Sequence, residues 1–266
     1  GRNAKMYNVT PTIVVKTVRH DGSVQEKISA YLFAKEAAFF ERLNEREDRC
    51  PNIVECFLML PDRLFFSYSM QETIARRFYE RQVRELRSSG QLGRLIRVRE
   101  YEDPALIARW IQQVTSALGY IEKMGFCYND LRASNCLLDR DLNLKLANFG
   151  RATTIGRMLR GTRPPWAMPI LTGPLKGTYG LCSAKTEQFA VGTLLYFMVY
   201  GHEPYEDMVL SPAELSCRFW EMEFPELYRH GVFDHLISAC WHNVYPAMAF
   251  VAYDFKRKTK DIASVT

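Results

Sequence analysis

The hydrophobic period of the chain changes near residue 70, and that change limits the folds open to it. Before that point the pattern is of short strands around one helix. Residues 4–9 (AKMYNV) and 12–18 (TIVVKTV) are β-branched runs separated by Thr10-Pro11, which predicts a hairpin. Residues 29–47 are rich in Ala, Leu, Glu and Arg, with apolar positions 32, 33, 37, 40 and 43 at helical spacing. Cys50-Pro51 stops that helix, and two further strands, 53–60 and 63–68, meet at Pro61-Asp62.

Long amphipathic helices follow. Residues 104–124 begin on Pro104, a favoured first-turn residue, and Gly125 sits just past the end. Short strands are expected at 136–138 and 144–147, and a Pro/Gly/Arg-rich loop over 151–180. A loop of that length inside a compact domain is usually functional. Residues 186–200 are almost wholly apolar toward their C-terminal side and read as a buried helix, with further helices over 212–223, 231–242 and 245–259.

With 266 residues, 47% of them hydrophobic, the chain can form one large domain or two lobes around a cleft. It has no uninterrupted apolar run of about 18 residues and no signal peptide pattern, so no membrane partner is expected. The seven cysteines lack a CxxC pair and fit reduced thiols in a cytoplasmic or nuclear protein. Arginines crowd residues 76–99, but interleaved glutamates make this a solvated helix face rather than a nucleic-acid site.

Four separated features carry chemistry. Lys16 lies on a strand within Val14-Val15-Lys16, and Glu36 lies on the helix after it. Asp130 and Asn135 stand five apart in YNDLRASN, and Asn148-Phe149-Gly150 follows. In this order and at these distances they resemble the signature set of the eukaryotic protein kinases: strand lysine, helix glutamate, catalytic loop and DFG motif. Tyr68–Phe78 resembles the hinge and the helix behind it, Glu187–Gly192 the start of a buried helix normally opened by aspartate, and Gly201-His202-Glu203-Pro204-Tyr205 the turn after it. Cys240-Trp241 resembles a pair common late in such domains.

The resemblance implies an α+β, two-lobed fold. Residues 1–69 would be a β-rich N-lobe and 70–266 a larger, mostly helical C-lobe. Gly1 aligns with the second glycine of the glycine loop and Ala4 with the third, so the first strand and the start of the loop are missing. A first residue other than Met points to a domain cut from a longer chain. The resemblance also implies ATP in the cleft. Lys16 would hold the α/β-phosphates, steadied by Glu36. Asp130 would orient the acceptor hydroxyl and take its proton. Met6, Val14, Phe66, Ser67, Ser69 and Leu137 would surround the base, with Phe66 at the back of the pocket. Asn135 and Asn148 would be the metal residues for magnesium.

Several positions depart from the family pattern. Asn148 replaces the metal-binding aspartate, and an amide supplies a dipole where the chemistry wants a full charge. Val14 replaces the usual alanine above the base, Tyr128 and Asn129 replace the histidine and arginine of HRD, and Glu187 replaces aspartate. Without that arginine no cation is evident for an activation-loop phosphate, and no clear A-P-E ends the 151–180 loop. Arg132-Ala133 resembles the tyrosine-kinase form of the catalytic loop. The functional expectation is an ATP-binding, kinase-like domain with weakened phosphotransfer to protein hydroxyls, acting through a protein partner. The alternatives are an active Ser/Thr or Tyr kinase using Asp130 and Asn135-bound magnesium, and a small-molecule phosphotransferase.

Overall fold

The computed structural model describes residues 4–18, 22–67, 70–85, 93–160 and 162–264. A β-rich N-lobe is followed by a helical C-lobe. The first sheet is antiparallel, in the order β1-β2-β4-β3, from β1 (Lys5–Thr10), β2 (Ile13–Thr17), β3 (Cys56–Leu60) and β4 (Arg63–Ser67). The Pro11-Thr12 turn sets the register, placing Met6 opposite Lys16 and Val14 opposite Phe66. Directly opposed residues share a face, so Val14, Lys16, Leu64 and Phe66 point the same way.

Helix α1 (Val24–Asn44) starts earlier than the sequence pattern suggests, because Ser23 caps it by accepting the Glu26 N–H at 3.3 Å. Ser29, Phe33, Glu36, Phe40 and Leu43 are buried at three- and four-residue steps along one side. Glu36 lies within that stripe, which is why its charge faces inward.

Past β4, β5 (Met70–Thr73) pairs with β9 (Cys136–Asp139), which pairs with β10 (Leu144–Leu146). Helix α2 (Ile74–Tyr79) is short, and the arginine-rich stretch then forms a hairpin, β6 (Gln82–Arg84) with β7 (Leu95–Val98), correcting the expected solvated helix face. Its arginines pair both within the stretch, Arg76 with Glu80, Arg77 with Glu72 and Arg81 with Glu100, and beyond it, Arg77 and Arg81 with buried Glu102 and Arg84 with Glu206.

Helix α3 (Pro104–Lys123) is capped by Asp103, whose carboxylate accepts the Ala105 N–H at 2.9 Å. It leads into β8 (Phe126–Cys127), which pairs with β11 (Thr153–Thr154). Helix α4 (Ala184–Tyr200) is the axis of the C-lobe, with Phe189 to Tyr200 buried without a break. Helix α6 (Gly231–Trp241) packs on α4, α7 (Met248–Ala263) packs on α3 and α4, and Phe219 of α5 (Pro212–Trp220) meets Phe189 of α4 edge-on at 5.8 Å. Gly192 lets α6 approach: a Cβ there would lie 2.9 Å from the Cys240 Cβ and 3.0 Å from the Trp241 ring.

None of the seven cysteines is disulfide-bonded; five are buried, Cys50 is half-buried and Cys217 is exposed. Among the described residues no helix is long and apolar enough to cross a membrane.

Candidate active site in the interlobe cleft

The side chains singled out in the sequence converge on one place. Lys16 on β2 forms an ion pair with Glu36 on α1. The other Glu36 oxygen accepts the Phe149 N–H at 3.2 Å, so one carboxylate ties α1 both to the strand lysine and to the Asn148-Phe149-Gly150 turn. Gly150 permits that approach, since a Cβ would sit 2.9 Å from the Leu32 carbonyl oxygen of α1.

Lys16 also donates to Asn148 Oδ1 at 3.1 Å. Asn148 Nδ2 in turn donates to Asp130 Oδ2 at 3.0 Å and faces Asn135 Oδ1 at 3.4 Å. Asn135 Nδ2 donates to the Asp130 backbone carbonyl at 2.7 Å and to Asp130 Oδ2 at 2.9 Å. Asp130 Oδ1 accepts from Arg132 and lies 3.7 Å from Arg151 Nε. Burial pushes the Asp130 carboxyl above its ordinary pKa, and the two arginines and Asn135 pull it back. Asn148 sits at φ 66°, a left-handed conformation that asparagine and aspartate tolerate better than most side chains.

The arrangement does not fit a magnesium ion as it stands. Magnesium wants hard oxygens in a near-octahedral set, drawn from one or two carboxylates and the phosphates. Here two amide N–H groups face the one carboxylate, and both Asp130 oxygens already accept donors. Among the described residues no group of three or more His, Cys, Asp or Glu side chains could hold a metal.

The residues expected around a base are placed less uniformly. Val14 and Phe66 are buried beside each other on paired strands, and the Phe66 ring meets Phe40 edge-on at 5.4 Å. Leu137 lies half-buried on β9, opposite Lys145 and Thr73. Met6 is 52% exposed. The Ser67 N–H donates to the Glu55 carbonyl at 3.0 Å, which leaves only its carbonyl to offer a base edge. Ser69 lies outside the described residues.

The catalytic loop is held from beneath. Glu187 on α4 accepts the Tyr128 and Asn129 N–H groups, each at 3.0 Å, doing the anchoring expected of the family's aspartate. Burial pushes its carboxyl up to about 7, against the pull of those two hydrogen bonds. In the unfolded chain it titrates near 4.5, so the folded state keeps the proton to higher pH. This contribution to stability is whole below the unfolded value and is lost as pH rises through the folded one. Glu203, pushed up to about 7 by burial and by Glu206, acts with the same sign. The urea-unfolding free energy is expected to fall between about pH 5 and about pH 8, with Glu187 supplying up to ~3 kcal/mol. Glu187→Gln is expected to reduce that slope. A flat or rising profile in the unsubstituted chain contradicts the assignment.

Two features escaped the sequence reading. One is the pair of arginines on Asp130. The other is a cavity of about 530 Å³ between α1 and the segment after Gly150, where Lys35, Arg151, Arg157 and Arg160 gather beside Asn129. Cations therefore do collect next to the position that lacks the HRD arginine, supplied by α1 and the loop. Burial, with Arg151 adding to it, pushes the Lys35 pKa below its usual value.

With this geometry in place, comparison with known proteins agrees. The Protein kinase domain model matches residues 3–228, and the chain belongs to that family. The human Tyrosine-protein kinase ABL2 is 29% identical over 246 residues, which is 89% of this chain and 18% of that protein. The Tyrosine-protein kinase transforming protein Abl of Abelson murine leukemia virus is 29% identical over 246 residues, 89% of this chain and 29% of that protein. The human Citron Rho-interacting kinase is 29% identical over 136 residues, 47% of this chain and 7% of that protein. The chain thus spans less than a third of the length of these relatives.

Proposed function

We propose that this kinase domain binds ATP between an N-lobe ending at residue 69 and a C-lobe beginning at residue 70, and that Asn148 weakens its phosphotransfer to protein hydroxyls. In this reading the domain works chiefly as a nucleotide-binding and protein-docking module. The observation that carries it is the closed Lys16–Glu36 pair beside Asp130, Asn135 and Asn148, with an amide at the position where a carboxylate is needed. Phosphoryl transfer depends on positioning and charge neutralisation, so a site can retain the first and lose much of the second. Lys16 has three N–H donors, of which Glu36 and Asn148 take two, leaving one for a phosphate oxygen. Met6, Val14, Phe66, Leu137 and the hinge from Ser67 to Ser69 would enclose the base. The Arg132-Ala133 form of the catalytic loop, together with two relatives named as tyrosine-protein kinases, favours tyrosine as the residual acceptor.

The test is isothermal titration with ATP. The unsubstituted chain is expected to bind, and Lys16→Ala to weaken binding by about tenfold or more, roughly 1.4 kcal/mol. Phe66→Gly opens the back of the pocket, and an adenine analogue carrying a bulky N6 group is expected to tighten by about tenfold. No heat of binding for ATP in the unsubstituted chain sinks the reading. An unchanged analogue affinity moves Phe66 out of the pocket.

A further inference from the structure

The Asn148 amide is oriented by unlike neighbours at its two ends. Its oxygen faces the Lys16 ammonium at 3.1 Å, and its NH2 group faces the Asp130 carboxylate at 3.0 Å. Turning the amide over would set NH2 against ammonium and carbonyl against carboxylate, so both ends oppose the flip. For Asn148 to offer an oxygen to a metal beside Asp130, that flip, or loss of both bonds, is required. Asp130 has no need of a cation from solution either. Its Oδ2 accepts from Asn148 and Asn135, and its Oδ1 accepts from Arg132 with Arg151 close by. Its side chain is only 4% exposed, which leaves little of it open to a cation from solution.

Charge in the cluster points the same way. Lys16, Arg132 and Arg151 are three cations set against the two carboxylates Glu36 and Asp130. The local balance is positive without any metal, and a polyphosphate meets attraction rather than a ring of bare carboxylates.

From this geometry we propose that the cleft takes a nucleoside triphosphate in its metal-free form, with the Asn148 amide, rather than a divalent cation, linking Asp130 to Asn135. The inference rests on the reading that the cleft binds ATP, and it goes further by assigning the charge state of the ligand. Magnesium then contributes nothing to affinity, and by converting free ATP into its less charged complex it weakens binding.

Titration calorimetry with ATP, in excess EDTA and again in excess magnesium chloride, decides it. ATP is expected to bind at least as tightly in EDTA as with magnesium. Asn148→Asp removes both N–H donors and sets a second carboxylate beside Asp130 at unchanged size. In that variant the sign of the magnesium effect is expected to reverse, with binding tightened about tenfold or more by the metal. Tighter binding by the unsubstituted chain on adding magnesium, by about twofold or more, overturns the inference and leaves the ATP reading standing. Absence of binding in both buffers overturns the two together. The unsubstituted chain alone supplies the deciding comparison, so the result stands even where the variant folds poorly.

Discussion

Asn148→Asp is expected to raise magnesium-dependent phosphotransfer, to a peptide or to the chain itself, by about a hundredfold or more, which is ~2.7 kcal/mol off the barrier. The substitution keeps the size of the side chain, and the left-handed backbone at φ 66° suits aspartate as well as asparagine. It replaces two N–H donors with a carboxylate oxygen, so Asp130 and Asn135 lose the amide that now satisfies them. Lys16 keeps its acceptor, because either aspartate oxygen serves. The cluster then carries one more negative charge and gains the hard oxygens that magnesium requires. Lys16, Glu36 and Asp130 are already in place, so the gain is not limited by assembly. Adding Asp130→Ala should abolish it. Robust activity in the unsubstituted chain would show that Asn148 is tolerated. No gain in the variant would move the defect to Val14, Tyr128 or Asn129.

The parts of this protein that were legible in its sequence are those whose physics is local or whose chemistry tolerates few residue types. The Thr10-Pro11 turn, the Pro104 start of α3 and the apolar run of α4 are local patterns, and the structure keeps them within a few residues. Lys16, Glu36, Asp130, Asn135 and Asn148 could be grouped across more than a hundred residues because their order and spacing are so restricted, and hydrogen bonds connect all of them. The arginine-rich stretch was misread because its Arg/Glu alternation mimics a solvated helix. The interleaved glutamates do pair with it, but the strand pairing of β6 with β7 and the Arg84 contact with distant Glu206 follow from no local pattern. The direction of the Asn148 amide was equally illegible. It depends on which neighbour stands at each end, a fact of three dimensions that composition and spacing do not hold. The basic cavity likewise needs α1 and the loop to meet before Lys35 and Arg157 share a wall.

Phe149→Ala is expected to cost about 3–5 kcal/mol of unfolding free energy, a large share of the ~5–15 kcal/mol typical of a folded domain. The ring is fully buried, stacked on Phe39 at 4.4 Å and edge-on to Phe40 at 5.4 Å and Tyr128 at 5.1 Å. Phe40 continues to Phe66 on β4, so the rings form one column from the catalytic loop, through α1, to the N-lobe sheet. Aromatic pairs add roughly 0.5–1.5 kcal/mol beyond burial, and truncation removes several at once. The void cannot close cheaply, because its walls belong to different elements held apart by their own packing. Phe149→Leu refills most of the volume and should cost about half as much. Urea denaturation of both variants measures the difference. Amide exchange along α1 should quicken in the alanine variant even where the Phe149 N–H to Glu36 bond survives, since the helix loses the ring it stacks on. A loss below about 1 kcal/mol for alanine, with α1 exchange unchanged, would mean that the other contacts of α1, the Lys16–Glu36 and Phe40–Phe66 pairs among them, hold the helix against the cleft without the ring.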